Sequence, residues 1–220
     1  MSTRTDTGVI FDMDGVLAET EQLWEASWAE AADRRGRSWT PANTARAQGM
    51  SSPEWSAYLA DLVGNPAHAG LIRGECVNSV VTAIERGEGP LLDGAADLVS
   101  QIARLVPIGL ASSAARPVIE AVLRRGGLRS YFAVTVSSEQ VLYGKPQPDV
   151  YLEAVRQLGV ARAFAVEDST NGLRAAYAAG LTVIALPNPA YPPRPDALLL
   201  ADHVAADHAD AKRYLTGRLT

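Results

Sequence analysis

Cysteine is nearly absent from this 220-residue chain: Cys76 stands alone. That excludes an intrachain disulfide and a thiolate metal cluster within one chain, and leaves a buried, inert thiol as the default reading. Histidine occurs only at positions 68, 203 and 208, away from the acidic motifs described below, so all three read as surface or structural. Lysine is rarer still, with Lys145 and Lys212 against 18 arginines. A formal net charge of −5 with no basic stretch argues against a nucleic-acid surface, which needs a clustered positive face. The densest basic group, Arg34, Arg35 and Arg37, reads as a solvated helix end. No apolar run approaches the roughly 18 residues of a membrane span. Residues 1–7 are polar and lack the apolar segment of a secretory signal, so the expected location is cytoplasmic.

What is present is a rhythm of short apolar runs. Residues 9–11, 106–111, 132–137, 163–166 and 182–186 read as buried parallel strands, and residues 197–200 as a possible edge strand. Between them, residues 95–105, 116–125, 149–158 and 171–179 place apolar side chains at helical spacing, and several of these segments close on glycine. The alternation predicts an α/β fold: a doubly wound, parallel, Rossmann-like sheet with ligands beyond the carboxyl ends of its strands.

Residues 16–89 break that rhythm with helical periodicity and no strand. They are expected to form an inserted all-helical cap on a core of residues 1–15 and 90–220. Turns are expected at 43–50 and 64–70, and a hinge at Gly87-Glu88-Gly89-Pro90. Two linkers joining a helical insert to a sheet imply a lid. All four tryptophans, Trp24, Trp28, Trp39 and Trp55, fall in this insert, either filling a small bundle or with one facing a ligand. Residues 187–195 contain five prolines and must be a loop.

The chemistry sits at strand ends. Asp12-Met13-Asp14-Gly15 follows the first run, and Glu167-Asp168 follows the fourth. Parallel strands bring these four carboxylates to one rim, where mutual repulsion calls for protons or a cation. An all-oxygen donor set favours Mg²⁺ over Zn²⁺. Ser112 and Ser113 follow the second run at the approach to a helix, where hydroxyls and backbone N–H groups can hold an anion. Lys145, before Pro146, supplies a point charge beyond the third run.

The ordered set Asp12-Met13-Asp14-Gly15, Ser112, Lys145-Pro146 and Glu167-Asp168 resembles the signature of haloacid dehalogenase-like phosphotransferases. The helical insert is similar to the cap of their β-phosphoglucomutase and phosphoglycolate phosphatase branch. The resemblance implies Asp12 as a nucleophile that becomes phosphorylated and Asp14 as general acid and then base. It implies Mg²⁺ on Asp12, the Asp14 main-chain carbonyl, Asp168 and Glu167, the last directly or through water. Phosphate would be held by Ser112, Ser113 or a neighbouring backbone N–H, and Lys145.

Asp14 argues against dehalogenation, which dispenses with a second acid, and the lack of lysine in residues 16–89 argues against phosphonate hydrolysis. The mutase alternative lacks its cap histidine, where Trp24 stands, and its arginine, where Ser51-Ser52-Pro53 stands. The expected activity is therefore hydrolysis of a small phosphorylated metabolite; Glu19 and Thr20, followed by Leu23 and Trp24, resemble the cap entry of sugar-phosphate phosphatases, which implies a sugar or polyol phosphate. A phosphate-sensing or partner-binding module without catalysis is the alternative from another class. A monomer is the default.

Overall fold

The computed structural model describes residues 6–220. Six strands form one parallel sheet: β1 (Thr7–Phe11), β2 (Ile108–Ser112), β3 (Phe132–Ser137), β4 (Arg162–Glu167), β5 (Thr182–Ala185) and β6 (His203–Val204). Their order is β3-β2-β1-β4-β5-β6, so the chain reverses direction of travel between β1 and β4 and opens a crevice there. Phe11 pairs in register with Leu110 on one side and Val166 on the other. The residues that follow, Asp12, Ser112 and Glu167, therefore emerge at neighbouring strand ends.

Side-chain alternation divides the core. Val9 and Phe11 point to one face and Ile10 to the other, as period-two geometry requires. The helices are α1 (Glu21–Asp33), α2 (Pro41–Ala47), α3 (Ser52–Leu62), α4 (Ala69–Glu85), α5 (Ala95–Ile102), α6 (Arg116–Arg125), α7 (Asp149–Leu158), α8 (Thr170–Ala178), α9 (Pro195–Leu198) and α10 (His208–Leu219). Helices α7 and α8 cover the Ile10 face, while α5, α6 and α10 contribute to the cluster around Phe11.

Between β1 and α5 the described residues form helices and no strand of their own. Helix α4 packs against α1 and α3 within this segment and against α6 outside it. Arg35 forms a two-pronged ion pair with Glu75, both contacts at 3.0 Å, tying α1 to α4. Arg35 is thus a structural strut, not only a solvated helix end.

Two sequence expectations are corrected. Residues 197–200 are not an edge strand. Pro195 starts the one-turn helix α9 there, and the edge is the two-residue β6, which pairs with β5 through Ile184 and Ala185. Residues 43–50 are not simply a turn, because the capping box of Thr40 and Asn43, with Pro41 at the first turn, starts α2. The turn proper is confined to Gln48, Gly49 and Met50. Two histidines are structural and the third, His68, is exposed: His208 Nε2 lies 2.7 Å from the Val16 carbonyl, and His203 stacks on Tyr214 with Nε2 3.1 Å from Asp210. Cys76 is buried, and burial pushes its thiol up to about 12. No helix is long and apolar enough to cross a membrane among the described residues.

Candidate active site

The centre of the site is Lys145. Its ammonium is almost fully buried and donates to Asp12 Oδ1 at 2.6 Å, Glu167 Oε1 at 2.5 Å and the Ala111 carbonyl at 3.2 Å. Those three contacts use all three ammonium protons, so its position is fixed from three strand ends. Burial alone would favour the neutral amine, but the charges of Asp12 and Glu167 outweigh it and raise the Lys145 pKa.

Glu167 has no exposed surface, and donors surround it. Oε1 accepts from Lys145 and from the Tyr151 hydroxyl at 2.8 Å. Oε2 accepts from the Asp168 and Ser169 main-chain N–H groups and the Ser169 hydroxyl, at 3.0, 3.2 and 3.1 Å. The same turn starts α8, where Ser169 also accepts from the Gly172 N–H. Gly172 has to be glycine: a Cβ there would lie 1.8 Å from Glu167 Oε1.

Asp12 and Asp168 complete the acidic centre. Burial holds both carboxyls well above their ordinary range, and neighbouring acids add to this; for Asp12 the nearby Lys145 pulls the other way. Asp168 Oδ1 is buried and has no hydrogen-bond partner. One oxygen each from Asp12, Glu167 and Asp168 lies within 4.8 Å of the others. A divalent cation fits this arrangement, since it would supply the partner that Asp168 lacks and offset acids that Lys145 alone cannot neutralise. Gly15, with φ +77°, carries the chain past Asp168, where a Cβ would sit 1.9 Å from Oδ2.

Asp14 lies beside them at the cavity. It accepts hydrogen bonds from the Thr20 hydroxyl and, at 3.3 Å, from the Ser112 hydroxyl. Desolvation raises its pKa, and those hydrogen bonds offset it only in part. Ser112 in turn accepts from the Ala114 N–H at 3.0 Å, which orients the hydroxyl toward Asp14.

A cavity of about 550 Å³ opens from Asp12, Asp14, Lys145 and Asp168 toward α1, the turn after α2, and the proline-rich segment. These residues lie beyond the strand ends, with helices from the insert facing them.

The family model for haloacid dehalogenase-like hydrolases matches residues 7–180. The chain belongs to this family. It is 32% identical over 201 residues to hexitol phosphatase B of Escherichia coli, covering 86% of this chain and 87% of that protein. It is also 32% identical over 191 residues to protein CbbY of Cereibacter sphaeroides, covering 81% and 83%. The crystal structure of CbbY from Rhodobacter sphaeroides in complex with xylulose-(1,5)bisphosphate superposes with a TM-score of 0.82 at 29% identity, covering 92% of this chain and 95% of that one. Within the haloacid dehalogenase-like hydrolases, the chain thus falls in the branch of β-phosphoglucomutase and its phosphatase relatives, and it is an enzyme.

The structure brings Asp12, Asp14, Ser112, Lys145, Glu167 and Asp168 to one sheet edge. Ser113 lines the cavity, its hydroxyl 3.5 Å from the Gly49 carbonyl of the insert. Of the entry residues, Thr20 is buried on Asp14 and Trp24 lines the cavity. Glu19 instead is exposed and off the cavity wall; its N–H donates to the Pro90 carbonyl at the hinge.

The tryptophans fill the core of the insert, and three of them also reach the cavity. Trp24, Trp28 and Trp55 pack as one cluster with centroids 5.6 to 6.0 Å apart, and all three line the cavity. Sequence reasoning missed Glu21, Gln48, Tyr191 and Arg194 on the cavity wall. The helix pattern of α1 places Glu21 one turn before Trp24 on the same face, a signal that would have found it.

Proposed function

We propose that this enzyme is a Mg²⁺-dependent phosphatase that hydrolyses a small phosphate monoester, a sugar or polyol phosphate, through a phosphorylated Asp12. The observation that carries the reading is the three-way clamp of Lys145 on Asp12, Glu167 and the Ala111 carbonyl. A buried ammonium held against a buried carboxylate at a strand end is suited to presenting one carboxylate oxygen to phosphorus while countering the phosphoryl charge.

Asp12 is the nucleophile, and the ammonium contact on Oδ1 leaves Oδ2 to attack. Asp14 is the acid for the leaving oxygen: desolvation raises its pKa, which favours the protonated form, and the Thr20 and Ser112 contacts fix its orientation. In the second half-reaction the same carboxylate takes a proton from the attacking water. Ser112 and Ser113 with the adjoining N–H groups hold phosphoryl oxygens. Mg²⁺ would be held by Asp12, Asp168 and the Asp14 carbonyl, and would offset charge between the two anions. Glu167, with five donors already on it, acts by holding Lys145 and orienting Asp168. Residues 16–89 act as a cap over a core of residues 6–15 and 90–220, closing the cavity on the substrate; residues 1–5, expected in the core, lie outside the described residues.

The similarity to hexitol phosphatase B supports the substrate class. The test is release of inorganic phosphate from sugar, polyol, glycolate and nucleotide monophosphates with and without Mg²⁺. Magnesium-dependent release, best with a sugar or polyol ester, is expected. Isomerisation of glucose 1-phosphate in the absence of net phosphate release would instead establish a mutase.

A further inference from the structure

The cavity has two chemically different walls. The core wall carries Asp12, Asp14, Lys145 and Asp168, the groups assigned to phosphoryl transfer. The wall contributed by the insert is different: it is built chiefly from Glu21, Trp24, Trp28, Gln48, Met50 and Trp55. Five of these are uncharged and the sixth is an acid.

Among the described residues, that wall carries no cation that would grip a second phosphate. Arg46 is turned away, its guanidinium 4.6 Å over the Tyr58 ring, and Arg73 faces Glu139 at 3.7 Å. Arg174 and Arg194 do line the cavity, but from the core side, and both are bound to Asp196. An anionic group directed at the insert would meet Glu21 with no compensating charge.

The same wall does offer hydrogen-bonding partners. Glu21 is half-buried at the cavity beside Gln48. A carboxylate acceptor next to an amide that both donates and accepts is suited to hydroxyl groups, which can do both as well. The tryptophan rings supply an apolar surface for C–H bonds.

Resting on the phosphatase reading above, we propose that Glu21 and Gln48, set against the Trp24, Trp28 and Trp55 rings, form the leaving-group subsite, and that it selects an uncharged polyhydroxyl group over a second anion. Glu21 accepts from a substrate hydroxyl, and the Gln48 amide donates to a hydroxyl oxygen. Glu21 is then the specificity residue, and as the carboxylate, above pH 7, it excludes bisphosphates by charge. A buried hydrogen bond to a charged group is worth about 1.5–3 kcal/mol, or roughly 10- to 100-fold in kcat/KM.

The experiment compares a hexitol monophosphate, a hexose bisphosphate, phenyl phosphate and acetyl phosphate, each with Mg²⁺ at pH 8, in wild type, Glu21→Gln, Glu21→Leu and Gln48→Leu. Thermal unfolding of each variant checks that it is folded. In wild type the hexitol ester should have the highest kcat/KM. Glu21→Leu should lower kcat/KM for the hexitol ester about tenfold more than for acetyl phosphate, which has no hydroxyl to offer. Glu21→Gln, which keeps an acceptor, should recover part of that loss and narrow the gap to the bisphosphate. Gln48→Leu, which keeps the volume and removes the amide, should move the same ratio in the direction of Glu21→Leu. Preference of the wild type for the bisphosphate or phenyl phosphate would overturn the subsite, as would equal losses on the hexitol ester and acetyl phosphate. Those outcomes leave the phosphatase reading standing; failure to cleave any of the four overturns that reading and the subsite with it.

Discussion

Lys145 Nζ lies 2.6 Å from Asp12 Oδ1, with almost no solvent access to either group. The pair is separated by 133 residues in sequence, so the sheet has to form before the contact exists. It joins the carboxylate proposed to attack phosphorus to the only buried lysine, and makes the proposed chemistry depend on the integrity of the core.

Replacing Lys145 by methionine should therefore cost both activity and stability. The substitution fills similar volume but leaves Asp12 and Glu167 buried without their cation, which costs about 3–5 kcal/mol in comparable pairs. Phosphate release should fall by about three orders of magnitude, and the denaturant midpoint should drop together with it. A variant as stable and as active as the wild type would contradict the clamp.

Gly172→Ala should disturb the same clamp from the other side. Its Cβ would meet Glu167 Oε1 at 1.8 Å, and Glu167 has no free space to retreat into. A loss of about 1–3 kcal/mol is expected from overpacking. Thermal unfolding checks the stability, and weaker dependence on Mg²⁺ concentration checks the effect on Asp168, whose N–H is held by Glu167.

Magnesium should stabilise the folded chain through Asp12 and Asp168. At 100 times its dissociation constant, a ligand bound only by the native state adds about 2.7 kcal/mol. The thermal midpoint should rise with Mg²⁺, return on chelation, and fail to respond in Asp168→Asn. A midpoint shift in Asp168→Asn equal to that of the wild type would contradict the assignment.

Stability should also respond to pH through Glu21. Burial and the nearby Asp14 push its pKa from 4.5 up to about 7. The folded state then holds a proton that the unfolded state releases between pH 4.5 and 7. Its contribution is complete below pH 4.5 and is lost as pH rises to about 7. Glu21→Gln should accordingly raise stability at pH 8 by on the order of 2 kcal/mol and have little effect at pH 4.5. Parallel denaturation of the two proteins at both pH values measures this.

Cys76 should resist alkylation in the native protein at pH 8, because burial holds the thiol at about 12. Rapid labelling without unfolding would contradict its burial.

Much of this was legible in the sequence for a physical reason. Buried parallel strands are continuous apolar runs, so β1 to β5 stand out, and residues at their carboxyl ends converge by topology alone. The edge strand did not stand out, because His203 and Val204 are two half-polar residues held by pairing with β5 rather than by burial. The apolar run at 197–200 drew the assignment away, although Pro195 marks a helix start. Helix α2 was hidden by the same ambiguity: Asn43 and Gly49 read as turn residues, while the Thr40 cap speaks for a helix. On the insert's wall Glu21 did carry a signal, its place one turn before Trp24 on α1, whereas Gln48 carried none, since which way it faces depends on how the turn after α2 packs.

The central claim is that Asp12 carries the phosphoryl group between the two half-reactions. The most direct measurement is rapid acid quench of the enzyme during turnover with Mg²⁺ and its best ester, followed by peptide mass spectrometry. A phosphoryl adduct on the peptide containing Asp12, appearing with substrate and lost when Asp12 is changed to Asn along with phosphate release, is the predicted result. Full phosphate release by the Asp12→Asn enzyme would contradict the account.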